Sequence, residues 1–113
     1  MTLGQKQRRH MLHIAMLISY AYNNGYQLTA GDAYRDPRSH GKMGERVAYG
    51  QASSNHKIRL AHDFNLFING KYQRSNEAHR PLGEYWESLD SDNVWGGRFG
   101  DGNHYSTKHN GRM

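Results

Sequence analysis

Cysteine is absent from all 113 residues, which excludes disulfides, thiolate metal sites and a cysteine nucleophile together. No stretch approaches the ~20 apolar residues needed to cross a bilayer, so membrane insertion is not expected. Apolar residues are scarce, at 35% of the chain, and mean hydropathy is −1.01. The core must therefore come from a few segments. Repeats, low-complexity tracts and linkers are missing too, and the length suits a single domain over residues 1–113. Acidic residues are outnumbered, 10 against 15 Lys and Arg, for a net charge of +5 and a pI near 9.6. That balance favours anionic partners: nucleic acid, an acidic membrane surface or the bacterial wall. The bases are spread along the chain, and the densest run, Lys6 to His10, is short. With no clustered basic helix and no groove-reading motif, nucleic acid is not the expected partner. A small basic nucleic-acid-binding protein stands as the rival reading. It would show steep salt dependence and no response to chelators.

The basic start (Met1 to His10) and the apolar stretch from Met11 have the outline of a secretory leader. His13 interrupts that stretch, and Ser19, Asn23 and Asn24 follow, so the segment reads as a folded helix and synthesis in the cytoplasm is expected. Over Gln5 to Asn24, the apolar residues Leu12, Ala15, Met16, Ile18 and Tyr22 recur at helical spacings. Thr2 is the N-cap and Asn24-Gly25 the stop. Tyr26 to Tyr34 alternates as a strand, whereas Asp36 to Ser53, rich in Gly, Pro, Ser and charge, is a long loop or an irregular flap. Leu60 to Ile68 is the best strand; Asn69-Gly70 signals a type I′ hairpin into Lys71-Tyr72-Gln73. Ser75 to Leu89 is a second helical pattern, with Leu82, Tyr85, Trp86 and Leu89 on one side and Pro81 marking a kink or a later start. Asp90 to Asn103 is a Gly-rich turn region, and His104 to Thr107 a last short strand. This order predicts an α+β domain: a small antiparallel sheet flanked by helices.

Eight histidines are present. His10, His13, His40, His79 and His109 are expected to be surface or partly satisfied side chains. His56, His62 and His104 lie beside carboxylates. His56 falls just before the Leu60 strand, within which His62 and Asp63 point to opposite faces. Only one of the two can share a pocket with His56. Spacing does not choose between them, although Ala61 and Asn65 on the Asp63 face leave room for a site. Asp101-Gly102-Asn103-His104 supplies a second carboxylate and imidazole after a flexible turn. Three N/O ligands and an open position make up the catalytic zinc arrangement, with a nearby carboxylate to take the water's proton.

Ser54-x-His56-x-x-x-x-Ala61-x-Asp63, followed by Asp101-x-x-His104, resembles the zinc D-Ala-D-Ala carboxypeptidase and L-alanyl-D-glutamate endopeptidase superfamily. That superfamily includes phage endolysins and shares its α+β fold with the Hedgehog signalling domain. Trp95-Gly96-Gly97 matches a stretch upstream of the last His in phage-type members, and Tyr34-Arg35-Asp36 matches an upstream Tyr-Arg element. The resemblance runs from about Tyr26 to Tyr105. It implies a Hedgehog/DD-peptidase-like fold and Zn2+ held by His56, Asp63 and His104, choosing Asp63 over His62. Asp101 is then the general base, Arg35 a catalytic and substrate-binding cation, and Ser54 an orienting hydrogen bonder. Trp86 and Trp95 belong to the core or a pocket wall.

Two positions depart from the pattern. Arg59 stands where glycine is usual, beside the site, where it would bind a D-glutamate carboxylate or turn outward. The base is Asp101 followed by Gly102, where carboxypeptidase members often have Glu-Pro. The shorter acid resembles the endolysin branch and favours L-alanyl-D-glutamate endopeptidase activity on the peptidoglycan stem peptide over D-Ala-D-Ala carboxypeptidase activity. A non-catalytic zinc-stabilised binding module would not need Asp101. The implied protein is a monomer from a phage, prophage or bacterium, acting on the wall once the inner membrane is permeabilised.

Overall fold

The structure is a computed structural model and describes residues 1–31, 58–111 and 113. Its elements run α1 (Leu3–Asn23), β1 (Tyr26–Ala30), β2 (Ala61–Ile68), β3 (Lys71–Tyr72), a 3-10 turn (Glu77–His79), α2 (Arg80–Leu89), β4 (Asn93–Trp95), a second 3-10 turn (Gly96–Phe99) and β5 (His104–Thr107). The domain is α+β, as the sequence pattern predicts. Its antiparallel sheet has the order β1-β2-β5-β4, with β3 folded back on β2. The expected loop over Asp36 to Ser53 and the end of the first predicted strand lie outside the described residues.

Local chemistry accounts for most boundaries. Thr2 and Gln5 cap α1 reciprocally, each side chain accepting from the other's backbone N–H. Asn69 and Gly70 take φ of 54° and 75°, the left-handed pair a type I′ hairpin requires. Pro81 sits in the first turn of α2, where its missing N–H costs nothing. Thus it marks a helix start and not a kink. β4 is a strand inside the region read as turn. Its three residues carry Asn93 and Trp95 inward.

Both helices pack on one face of the sheet. Ile14, Leu17 and Ala21 of α1 meet Leu82 and Trp86 of α2 over Phe64, Leu66, Trp95 and Tyr105. The buried face of α1 is His10, His13, Ile14, Leu17 and Ala21. The apolar series read from the sequence lies on the other side: Leu12, Met16, Ile18 and Tyr22 are all exposed. No residue from His10 to Asn24 is acidic or Lys or Arg, so apolar spacing could not select the inward face. Among the described residues, no helix is long and apolar enough to cross a membrane.

Candidate metal centre

Strand alternation sends neighbouring residues of β2 to opposite sides of the sheet. On the side away from the helices, Asp63 is paired in register with His104 of β5. His104 Nδ1 lies 3.3 Å from Asp63 Oδ1, and both residues are buried, at 7% and 6% exposure. On its far side the ring donates from Nε2 to the Met113 carbonyl at 2.7 Å. Both ring nitrogens thus face acceptors, the arrangement of an imidazolium. Burial pulls the His104 pKa down, but the Asp63 hydrogen bond, the Met113 carbonyl and the charges of Asp63 and Asp101 outweigh it and hold the pKa above the usual histidine value.

Close backbone approach shapes this pair. Gly31 N–H donates to the Asp63 carbonyl at 2.8 Å, and a Cβ on Gly31 would stand 2.9 Å from Asp63 Cβ. A Cβ on Gly96 would collide with the Asp101 carbonyl and come within 2.6 Å of His104 Cβ. Asp101 N–H donates to Gly96 O at 2.9 Å, and His104 N–H returns to Asp101 O at 3.1 Å. Trp95, 1% exposed, anchors this turn by donating from Nε1 to Gly102 O at 2.7 Å. The guanidinium groups of Arg80 and Arg98 each lie 5.4 Å from its ring. Trp95-Gly96-Gly97 is therefore the scaffold of the turn carrying Asp101 and His104. Asp101 itself is exposed.

His62 faces the helices. Its Nδ1 is 2.9 Å from His10 Nε2, and His10 Nδ1 is 2.9 Å from Thr107 Oγ1. Asn93 fixes the direction of this chain. Its Nδ2 donates to Trp86 O and to His13 Nδ1, leaving Oδ1 to accept from the Thr107 hydroxyl. Thr107 must then accept from His10 Nδ1–H, and His10 Nε2 shares the hydrogen bond with His62 Nδ1. Further along the same face, Tyr105 OH and His79 Nδ1 are hydrogen-bonded at 2.8 Å. Burial pushes His79 down to about 4 and raises the Tyr105 hydroxyl well above its ordinary value.

The sequence expectation for His10, His13 and His79 is corrected here, because they are 0%, 8% and 4% exposed. His10 and His13 fall in the spacing 10, 13, 14, 17, 21 of the buried face of α1. That periodicity was available once histidine was counted as a core residue. Asn93 and Thr107 carry no comparable signal.

Of the expected site residues, Asp63 and His104 meet, Asp101 begins the turn that ends in His104, and His62 is turned away to the other face. Arg35, Ser54 and His56 lie outside the described residues. Arg59 is exposed and takes φ of 59°, a left-handed conformation that glycine adopts without strain. Among the described residues, no three His, Asp or Glu are gathered as a metal-holding group. The pair present nevertheless suits a metal. Two atoms bonded to tetrahedral zinc at their usual lengths lie about 3.3–3.6 Å apart, and Nδ1 and Oδ1 are 3.3 Å apart. The Nε2–H bond to Met113 holds the ring as outer partners of metal-bound histidines do. Neither models of known protein families nor curated protein sequences give a match to this chain.

Proposed function

We propose that this chain is a zinc-dependent peptidoglycan peptidase of the D-Ala-D-Ala carboxypeptidase and L-alanyl-D-glutamate endopeptidase superfamily, acting as an endolysin on the L-alanyl-D-glutamate bond. One observation carries the reading. Asp63 and His104, far apart in sequence and both named by the resembling motif, meet side chain to side chain across β2 and β5. His56 completes the ligand set. Zinc held by the three supplies Lewis acidity to the scissile carbonyl and to the attacking water.

The remaining work falls to side chains. Asp101, exposed on the turn beside His104, takes a proton from the water and returns it to the departing amine. Arg35 stabilises the negative charge that develops on the carbonyl oxygen. Ser54 orients the site, and Arg59, exposed at the start of β2, pairs with the D-glutamate carboxylate. The surplus of basic residues holds the enzyme near anionic wall polymers. Endopeptidase activity is favoured over carboxypeptidase activity by the Asp101-Gly102 turn, where Gly102 N–H donates to Asn76 Oδ1 at 2.8 Å and a proline would lose that bond.

The test is mass spectrometry of peptidoglycan digested by the zinc-loaded protein. New amino termini on D-glutamate are expected, absent with chelator and absent for Asp101→Ala, which keeps its metal. Intact peptidoglycan with loaded wild-type protein, or undiminished hydrolysis by Asp101→Ala, overturns the reading.

A further inference from the structure

Every backbone polar group of Asp101 and Gly102 is hydrogen-bonded. Asp101 N–H donates to Gly96 O at 2.9 Å, and Asp101 O accepts from His104 N–H at 3.1 Å. Gly102 N–H donates to Asn76 Oδ1 at 2.8 Å, and Gly102 O accepts from Trp95 Nε1 at 2.7 Å. Three of these partners belong to the segment from Trp95 to His104 itself. Asn76 comes from 26 residues away, at the head of the 3-10 turn Glu77–His79. At the other end of that turn, His79 is bonded to the hydroxyl of Tyr105, next to His104. One short element thus holds the Asp101–His104 segment at two points. On the reading of Asp101 as the general base, we propose that Asn76 is a positioning residue for the same reaction. Its side-chain oxygen fixes the turn, and with it the place of the Asp101 carboxylate relative to Asp63 and His104.

The side chain of Asn76 is diverted from its local task. Asn at an N-cap ordinarily accepts from a backbone N–H of its own helix. Asn76 holds the N-cap position and makes no such bond. Ser75 Oγ accepts from Ala78 N–H in its place, and the Asn76 oxygen goes to Gly102. The approach is close as well. A Cβ on Gly102 would stand 2.7 Å from Asn76 Cα and 2.8 Å from Asn76 Oδ1, so only glycine lets the two segments come this near. Gly102 is buried, whereas Asn76 is exposed. Without the Asn76 oxygen, the Gly102 N–H must find water, and the turn has to shift to reach it. A general base works only within hydrogen-bond reach of the proton it takes, and a displacement of about 1 Å from a change outside the chemistry can cost on the order of 100-fold in rate.

Asn76→Ala and Asn76→Asp, which keeps the acceptor oxygen, are to be compared with Ser75→Ala, which removes the cap of the same turn and leaves Gly102 bonded. With zinc-loaded protein and soluble peptidoglycan fragments, Asn76→Ala should lower kcat by about 10–100-fold with KM within about threefold, the mark of an interaction that acts in the transition state. Asn76→Asp should recover most of that loss, and Ser75→Ala should keep the wild-type kcat. In the metal-free chain, hydrogen exchange at the Gly102 amide should be at least about tenfold faster in Asn76→Ala than in wild type or Asn76→Asp. Wild-type protein that leaves the fragments intact, or Asp101→Ala that cuts them normally, overturns the peptidase reading and the role of Asn76 with it. Where those two behave as expected, four results overturn the role of Asn76 alone: an unchanged kcat in Asn76→Ala, an equal fall in Ser75→Ala, a loss that Asn76→Asp does not recover, or unaltered exchange at Gly102.

Discussion

β5 carries two histidine environments of opposite character, one on each side of the sheet. Away from the helices, His104 lies between the Asp63 carboxylate and a carbonyl, and its pKa is held above the usual value. Beneath the helices, His79 is set against the hydroxyl of Tyr105, the residue next to His104, and is driven down to about 4. Burial opposes the charged form on both sides. The difference is the neighbour: a carboxylate repays the cost of charge, and a phenol does not. β2 repeats the division, with Asp63 facing outward and His62 joined to a chain of hydrogen bonds that runs through His10, Thr107 and Asn93 to His13. The polar groups described under the helices are thus bonded to one another and to the fold, whereas His104 on the other side faces a carboxylate.

The largest effect should come from exchanging the two sides in a metal-binding assay. Loss of a group that merely orients a ligand costs about 10–100-fold in affinity, so His104→Ala or Asp63→Ala should weaken zinc binding by at least ~100-fold. His62→Ala should change it by less than ~10-fold. Competition against a chromogenic chelator measures both. Equal losses for His62→Ala and His104→Ala would erase the division between the faces.

Stability should show the reverse order. His10 is fully buried, bonds both His62 and Thr107, and packs edge-on against Trp86. His10→Ala opens a cavity and takes a hydrogen-bond partner from two side chains at once, an expected cost of about 3 kcal/mol. Urea unfolding should register it as a lower midpoint. A loss below ~1 kcal/mol would mean that the chain of hydrogen bonds adds little beyond its packing.

Much of this arrangement is legible in the sequence because short-range chemistry dictates it. The Thr2–Gln5 cap, the Asn69-Gly70 hairpin and the Pro81 helix start each depend on residues a few positions apart. Asp63 and His104 do come side by side, and alternation along β2 separates His62 from Asp63 as expected. The inward face of α1 was not legible. The helix has apolar residues on both sides, and the core selected the side bearing two histidines because Thr107, Asn93 and Trp86 could satisfy them. Those partners come from β4, β5 and α2, at separations no local pattern reports. β4 escaped for a similar reason: three residues are too few for alternation to register, and Trp95 is held by Gly102 O and by the ring approach of Gly97.

The smallest of the effects is also the most direct reading of the helix side, because it titrates His79. Its folded pKa is depressed to about 4, against an unfolded value near 6.5. Between those values the unfolded chain binds more protons, so stability rises with pH through that window. The contribution is complete above about pH 6.5 and is lost as the pH falls towards 4. Allowing for solvent screening, it should amount to on the order of 2 kcal/mol. His79→Gln keeps a hydrogen-bonding group for Tyr105 but has no proton to gain, so its unfolding free energy should vary less with pH across this range than that of wild type. Wild type should lose stability relative to the variant as the pH falls from 6.5 towards 4. Parallel curves would show that His79 titrates normally, and the contrast with His104 across β5 would then rest on the carboxylate side alone.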